Sequence, residues 1–170
     1  TFTQAMPLAQ GAYSVTLTTG IEDVAGNALP ADYSWSFTVD RTAPTVVSTA
    51  PAANTTDVST SSSISVTFSE EMNPASLNPY SSFTVSAGGY PISGSVSYSN
   101  KTATFTPFAP LAKSTLYTAT LTTAVTDVSG NHLSSSYSWS FTTVASLFAN
   151  YVNFPTGSWP EAVAIGDVNG

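Results

Sequence analysis

The chain has 170 residues, of which 42% are hydrophobic, 12% aromatic and only 8% charged, and it carries a net charge of −7 and no cysteine. Its only basic residues, Arg41, Lys101 and Lys113, are too few and too scattered for a nucleic acid or an anionic membrane to be a partner, and no apolar run is long enough for membrane insertion. The lack of cysteine excludes disulfides, thiolate catalysis and thiolate metal sites.

The chain opens with a segment that returns later. Residues 13–40, which include the run YSWSFT, recur at residues 117–144 with more than half of the positions identical, and TFT and PLA match upstream. A spacing of roughly 104 residues is about the length of one β-sandwich and far too long for a solenoid repeat. We therefore expect residues 1–40 to be the C-terminal part of one sandwich and residues 41–144 to be a complete one.

After the short linker RTAP, the complete unit shows a series of short strand patterns. Apolar residues alternate with Ser and Thr over residues 63–69, which predicts a half-buried strand with Ile64, Val66 and Phe68 inward. The same pattern predicts strands over residues 45–48, 82–86, 93–98, 102–106, 116–122 and 136–143. About seven short strands and no sizeable helix are typical of an all-β, Ig-like Greek-key sandwich.

Two aromatic features are interpreted as structural. The run YSWSFT begins at Tyr33 and again at Tyr137, and its alternation with Ser and Thr indicates a core strand rather than a ligand platform. In the second copy this alternation predicts that Tyr137, Trp139 and Phe141 face inward. Tyr117 follows PLAKSTL, which predicts a tyrosine corner in which the phenol hydrogen-bonds to upstream backbone. Tyr13 has the same place in the first copy.

No residue pattern predicts an enzyme. His132 is the only histidine, and Ala28 stands at its place in the first copy, so the shared unit does not depend on an imidazole base. Glu70 and Glu71 are adjacent, and neighbouring strand residues point to opposite faces, so the two carboxylates are not expected to flank one bond as a glycosidase pair.

Four oxygen-bearing residues are instead expected to meet at one end of the complete sandwich, where loops and linker converge. They are Asp40, Glu70, Asp127 and Asn131. Calcium takes several hard oxygens from converging loops, so these residues are candidate calcium ligands.

The run around Asp127 also has a second interpretation. Asp127, Gly130 and Asn131 recur in the first copy as Asp23, Gly26 and Asn27. This recurrence fits a turn in which Asp caps backbone amides while Gly or Asn takes the left-handed conformation. The capping turn and the calcium site stay open as alternatives.

The segment from Ala43 to Val144 resembles the bacterial Ig-like domain family first described in S-layer proteins. The pieces that carry the resemblance are, in order, TAPTVVSTAPAANTTDVS, ISVTFSEEMNP, TATFTP, PLA, LYTATL, DVSGN and YSWSFTT. The resemblance implies a non-catalytic spacer, strung with other domains in a secreted or cell-surface bacterial protein, in adhesion or surface display. The alternatives are a glycan- or protein-binding module and an accessory region of a secreted hydrolase.

Residues 145–170 depart from this pattern. The run FANYVNFPTGSWPEAVAIGDVNG resembles the opening of an FG-GAP or VCBS-type repeat, the blade unit of integrin-like β-propellers. The resemblance implies a linker and a partial propeller blade, in which Asp167 and Asn169 take the first and third positions of a calcium loop whose fifth position lies beyond Gly170. A dockerin-like or EF-hand loop is the competing interpretation.

Overall fold

The computed structural model describes residues 6–145, and this part of the chain is almost entirely β-structure. Its one helical element is a single 3₁₀ turn at Pro74–Ser76, and no helix in these residues is long and apolar enough to cross a bilayer. The strands are β1 (Gly11–Leu17), β2 (Tyr33–Val39), β3 (Val46–Ala50), β4 (Ile64–Phe68), β5 (Phe83–Ala87), β6 (Tyr90–Pro91), β7 (Gly94–Ser99), β8 (Thr102–Pro107), β9 (Leu116–Leu121) and β10 (Tyr137–Thr142).

Strand β4 illustrates why these segments are strands. Ile64, Val66 and Phe68 are buried, whereas Ser65 and Thr67 between them are half-buried on the outer face. Successive side chains of a strand point to opposite faces, so this alternation places every apolar residue on one side. The sequence prediction for this strand is confirmed.

Strands β3 to β10 form two four-stranded antiparallel sheets, in the orders β3-β4-β8-β7 and β10-β9-β5-β6. The chain passes from one sheet to the other between β4 and β5, between β6 and β7, and between β8 and β9, which is the connectivity of a Greek-key sandwich. This supports the expected all-β Ig-like fold. The sandwich has eight strands because Tyr90–Pro91 adds a short strand beside β5, after a turn through Gly88 and Gly89 at positive φ.

The apolar faces of the two sheets meet in one core. Its largest buried side chains include Phe68, Phe83, Phe105 and Phe141. The ring of Phe83 on β5 contacts Phe105 of the opposite sheet at 6.0 Å and Trp139 of its own sheet at 6.1 Å between centroids. Each fully buried aromatic or aliphatic side chain stabilises the fold by about 1.5–3 kcal/mol, so this core holds the two sheets together.

The prediction that Tyr137 faces the core is wrong. Tyr137 is the first residue of the edge strand β10 and is 38% exposed. Its ring lies against Trp139 at 5.8 Å between centroids, at the rim of the core. The pairing of β10 with residues 54–58 begins only at Ser140, so the start of the strand is covered on one side only and the Tyr137 ring stays partly in water.

Strands β1 and β2 form a separate sheet with the register of β9 and β10. Tyr13 pairs with Phe37 as Tyr117 pairs with Phe141, and the two stacked ring pairs have centroid distances of 5.6 and 5.7 Å. Phe37 is nevertheless 41% exposed, while Phe141 is fully buried. The two hairpins therefore share an internal structure and differ in whether a second sheet covers the apolar face.

The two tryptophans show that the aromatic strands do not share one interior. Trp139 of β10 is 3% exposed within the sandwich, whereas Trp35 of β2 is 43% exposed. In the described part of the chain, β2 pairs with β1 alone. The two related segments thus belong to different β-structures in the described part of the chain.

Both predicted tyrosine corners are present. The backbone N–H of Ala112 donates to the Tyr117 hydroxyl at 2.7 Å, and the Tyr13 hydroxyl donates to the Ala9 carbonyl at 3.0 Å. Each phenol therefore ties its strand to the loop that precedes it.

Candidate functional site at the joint between the repeats

Three carboxylates meet where the first repeat joins the second. Asp40 follows β2, Glu70 follows β4 and Asp127 follows β9. One oxygen of each side chain lies within 4.8 Å of the other two. We call these three residues the carboxylate cluster; at the end of the second repeat, Val144 stands at the place of Asp40.

Asn131, the fourth candidate, connects the cluster to the backbone of the joint. Its side-chain nitrogen donates to Asp127 Oδ2 at 2.8 Å and to the Asp40 carbonyl oxygen at 3.3 Å. The structure thus brings all four predicted residues together, with Asn131 acting as a hydrogen-bond donor. This arrangement fixes Asp127 and Asp40 relative to each other.

Asp127 also caps its own turn. Its Oδ1 accepts the backbone N–H groups of Ser129 and Asn131, each at 2.8 Å, and Gly130 has a φ of +89°. Asp23 in the first repeat makes the same contacts, with the N–H groups of Ala25 and Asn27 at 2.8 and 2.9 Å. The capping interpretation is therefore supported in both repeats.

The two copies of the turn differ in their surroundings. Asp23 is exposed, whereas Asp127 is only 1% exposed and belongs to the carboxylate cluster. A buried carboxylate is costly unless hydrogen bonds or opposite charges offset the loss of water. In the second repeat, the turn supplies those hydrogen bonds and holds the charge close to Asp40 and Glu70.

The pKa values of two cluster residues are shifted in opposite directions. Burial, followed by the charges of Asp40 and Asp127, raises the pKa of Glu70 above its ordinary value. Hydrogen bonds from the backbone and then the side chain of Thr42 lower the pKa of Asp40, whose Oδ1 accepts the Thr42 N–H at 2.9 Å. As the pH falls, Glu70 therefore takes up a proton before Asp40 does.

Two further hydrogen bonds cross the joint. The side chain of Gln10 donates to the Thr42 hydroxyl at 3.0 Å, and Arg41 Nε donates to the Leu8 carbonyl at 2.9 Å. They tie the linker to the first repeat, and the bond from Asn131 to the Asp40 carbonyl joins the second repeat to the end of the first. Arg41 thus contributes to the joint.

The remaining polar candidates do not join this site. The Tyr98 hydroxyl donates to Glu71 Oε2 and accepts the N–H of Met72, both at 2.7 Å, so Glu71 is engaged away from Glu70. Tyr98 and Glu71 are 27 residues apart, and sequence reasoning missed this contact because only the fold brings them together. His132 is exposed, and its Nδ1 lies 2.7 Å from the Thr123 carbonyl oxygen, to which it donates.

The predicted propeller loop lies elsewhere in the chain. Asp167 and Asn169 are outside the described residues. Their calcium loop therefore stays a prediction.

A family model described as "Bacterial Ig-like domain" matches the chain twice, over residues 1–39 and over residues 40–143. The chain belongs to the bacterial Ig-like domain family. Each match ends within a residue of the end of one sequence repeat, so both copies are bacterial Ig-like segments.

Several solved structures resemble this bacterial Ig-like chain. Two are structures of the S-layer protein SbsC. The structure of rSbsC(31-844) is 23% identical to this chain, covers 61% of this chain and 14% of its own, and has a TM-score of 0.46. The structure of SbsC domains 1-6 has the same identity and coverage and a TM-score of 0.45. CopC from Methylosinus trichosporium OB3b is 17% identical over 60% of this chain and 94% of that one, with a TM-score of 0.49. The chain thus spans a small part of the SbsC structures. No match was found among curated proteins.

Proposed function

We propose that this chain is a non-catalytic spacer of Ig-like units in a secreted or cell-surface bacterial protein, where it separates and displays neighbouring domains. One observation carries the proposal. The same closing hairpin occurs twice in one register, and the copies are joined by a short linker whose side chains bond to the first repeat. Repeated units on a short linker that is bonded to one of them would set the distance and the direction between the domains on either side.

The path of the chain through the sandwich supports this role. Where the chain enters, the Ser69 N–H donates to the Thr45 carbonyl at 2.9 Å, beside the carboxylate cluster. Where it leaves, the Ser114 N–H donates to the Val144 carbonyl at 2.8 Å. Strand β9 runs from the second of these ends to the first, so entrance and exit lie at opposite ends. Units added in series therefore extend the array.

Two rival functions give different experimental results. A glycan array probed with the labelled chain should give no saturable binding for a spacer, and a reproducible glycan signal would favour a binding module. An accessory region of a hydrolase predicts a catalytic domain elsewhere in the same gene, which its full sequence would reveal. Protease treatment of intact cells of the source bacterium checks the location, because a surface protein is cleaved without lysis.

We further propose that calcium stiffens the joint by binding to the carboxylate cluster. Asp40 comes from the first repeat, while Glu70 and Asp127 come from the second, so a shared cation would bridge the two. Three carboxylates with oxygens within 4.8 Å of one another are the hard ligands that calcium takes. The cation would also offset the repulsion that contributes to the raised pKa of Glu70.

Small-angle scattering of the full chain tests the calcium proposal. Adding calcium should narrow the distribution of overall dimensions of the wild type and of the control variant Glu71→Gln. In thermal unfolding, calcium should also raise the melting temperature of both. Glu70→Gln and Asp127→Asn should lose both responses. The proposal fails if calcium leaves the wild type unchanged, a result that would leave the spacer role standing.

We also propose that residues 145–170 begin a propeller repeat of the FG-GAP or VCBS type. Support comes from the run AVAIG followed by Asp167 and Asn169 in the order of a D-x-N-x-D-G loop. Reading the gene past Gly170 tests this proposal, because the fifth position of the loop comes directly after Gly170 and must be acidic in a propeller loop of this type.

A further inference from the structure

The first part of the sandwich pairs in parallel with its last strand. Residues 54–58 run beside residues 140–144, and Val58 and Thr143 form a parallel bridge. The strand pairs within both sheets of the sandwich are antiparallel, so this pair has a different geometry. Its four backbone hydrogen bonds run from Asn54 N–H to Ser140 O at 2.7 Å, from Thr142 N–H to Thr55 O at 2.8 Å, from Val58 N–H to Thr142 O at 3.1 Å and from Val144 N–H to Val58 O at 2.9 Å.

Each partner of this parallel pair is anchored in a different sheet. Residues 54–58 lie between β3 and β4 of one sheet, while β10 pairs with β9 of the other. Val58 and Thr143 are both buried, and the Thr143 hydroxyl lies in hydrogen-bond contact with the Ala112 carbonyl at 2.6 Å. The pair thus ties the beginning of the sandwich to its end, with its Val58–Thr143 end shielded from water and residues 54–57 exposed.

We propose that this parallel pair is a mechanical clamp that resists force applied through the two ends of the chain. Because the chain enters and leaves at opposite ends, tension pulls residues 54–58 and 140–144 in opposite directions along their own axes. Inter-strand hydrogen bonds run across the strands, so this pull shears the four bonds together. A hairpin pulled open at its ends would instead lose its bonds one after another.

Resistance to force is a property beyond the spacer role, and it does not depend on calcium at the joint. It concerns a single sandwich and the barrier to its unfolding under load. Forced unfolding is governed by the unfolding rate, so interactions that must break before the barrier is crossed matter more than overall stability. The clamp therefore predicts that a few backbone bonds control resistance to force.

Single-molecule force spectroscopy on the full chain tests the proposal. The chain has no cysteine, so one cysteine added at each terminus gives unique attachment points. Val144→Pro removes the N–H that donates to Val58 and should speed unfolding at constant force about fivefold, the effect of losing one net hydrogen bond from the barrier. Tyr98→Phe removes two hydrogen bonds outside the clamp, those with Met72 and Glu71, and should leave the forced unfolding rate nearly unchanged.

Equilibrium urea unfolding of both variants supplies the comparison that separates the clamp from general stability. The clamp is supported if both variants lose a similar free energy of unfolding in urea and only Val144→Pro unfolds faster under force. Equal acceleration in both variants, or none in Val144→Pro, overturns it.

A change of pulling direction covers the case in which Val144→Pro does not fold. Moving the first attachment point to the exposed Ser99, by Ser99→Cys, applies the load to β7 and bypasses residues 54–58. The sandwich should then unfold at lower force than when it is pulled by its termini. Equal forces in the two directions would also overturn the proposal.

Discussion

Phe141 and Phe37 occupy the same place in two hairpins of the same register, and their replacement separates the effect of burial from that of ring contact. Each ring stacks on a tyrosine at an interplanar angle of 18°. Alanine at either position removes that contact. What differs is that Phe141 lies in the closed core and Phe37 lies partly in water.

The expected magnitudes follow from this difference. Phe141→Ala should lower the free energy of unfolding by about 3–5 kcal/mol, because the transfer free energy of a buried ring is lost and a cavity is left behind. Phe37→Ala should cost at most about 1 kcal/mol, because its ring buries less area and its removal opens no enclosed cavity.

Urea unfolding followed by tryptophan fluorescence measures both effects on the sandwich. Of the three tryptophans, Trp35 and Trp159 are replaced by Phe, so that the buried Trp139 reports alone. Phe141→Ala should shift the midpoint strongly, and Phe37→Ala should hardly move it. Equal shifts would refute the reasoning, because Phe37 would then have to stabilise the sandwich that Trp139 reports on as strongly as Phe141 in its own core does.

Three further predictions concern single contacts. An added Cβ at Gly94 would lie 2.5 Å from the ring of Phe105, so Gly94→Ala should lower the free energy of unfolding by about 1–3 kcal/mol in urea; a neutral effect would contradict the described packing of β7 on β8. Tyr98→Phe leaves the N–H of the buried Met72 without its acceptor and should cost about 1–3 kcal/mol, and an unchanged urea midpoint would argue against that bond. Glu70→Gln should raise the melting temperature at pH 7 in calcium-free buffer and flatten its dependence on pH.

The sign of the Glu70 effect follows from proton linkage. Its folded pKa lies above the ordinary 4.5, so the folded state binds the proton more tightly than the unfolded state. Stability should therefore rise as the pH falls through the raised pKa towards 4.5, whereas the lowered pKa of Asp40 opposes this only below about 3.8. Glu71→Gln is the control; parallel pH profiles for the wild type and Glu70→Gln would show that burial and the charges of Asp40 and Asp127 do not raise the pKa of Glu70.

The strands of the sandwich could be predicted from sequence because their signal is local. Ile64, Val66 and Phe68 alternate with hydroxyl residues, and this period is visible without knowing any partner. Strand β6 was missed because two residues carry no period, and its pairing depends on the glycine turn that follows β5. The exposure of Tyr137 was missed because sequence does not show which strand lies at an edge.

The members of the candidate site could be predicted, but their environment could not. The recurrence of the Asp127 turn is visible in the sequence. The contact between Asn131 and Asp40 is not, because it joins residues 91 positions apart that only the fold brings together. Burial of Asp127 likewise depends on how the loops close over it. Residues 54–58 carry no strand pattern because they belong to a run rich in turn-forming residues. Within this run, Asn54 and Asp57 adopt positive φ.

The exchange of Asp40 for Val144 at matching places has a consequence for a long array. The second repeat ends on an apolar side chain at the place where the first ends on a carboxylate. Under the calcium bridge proposed above, a joint that carries Asp40 would be stiffer than one that carries valine at the same place, so a row of similar domains would bend at some joints and stay straight at others.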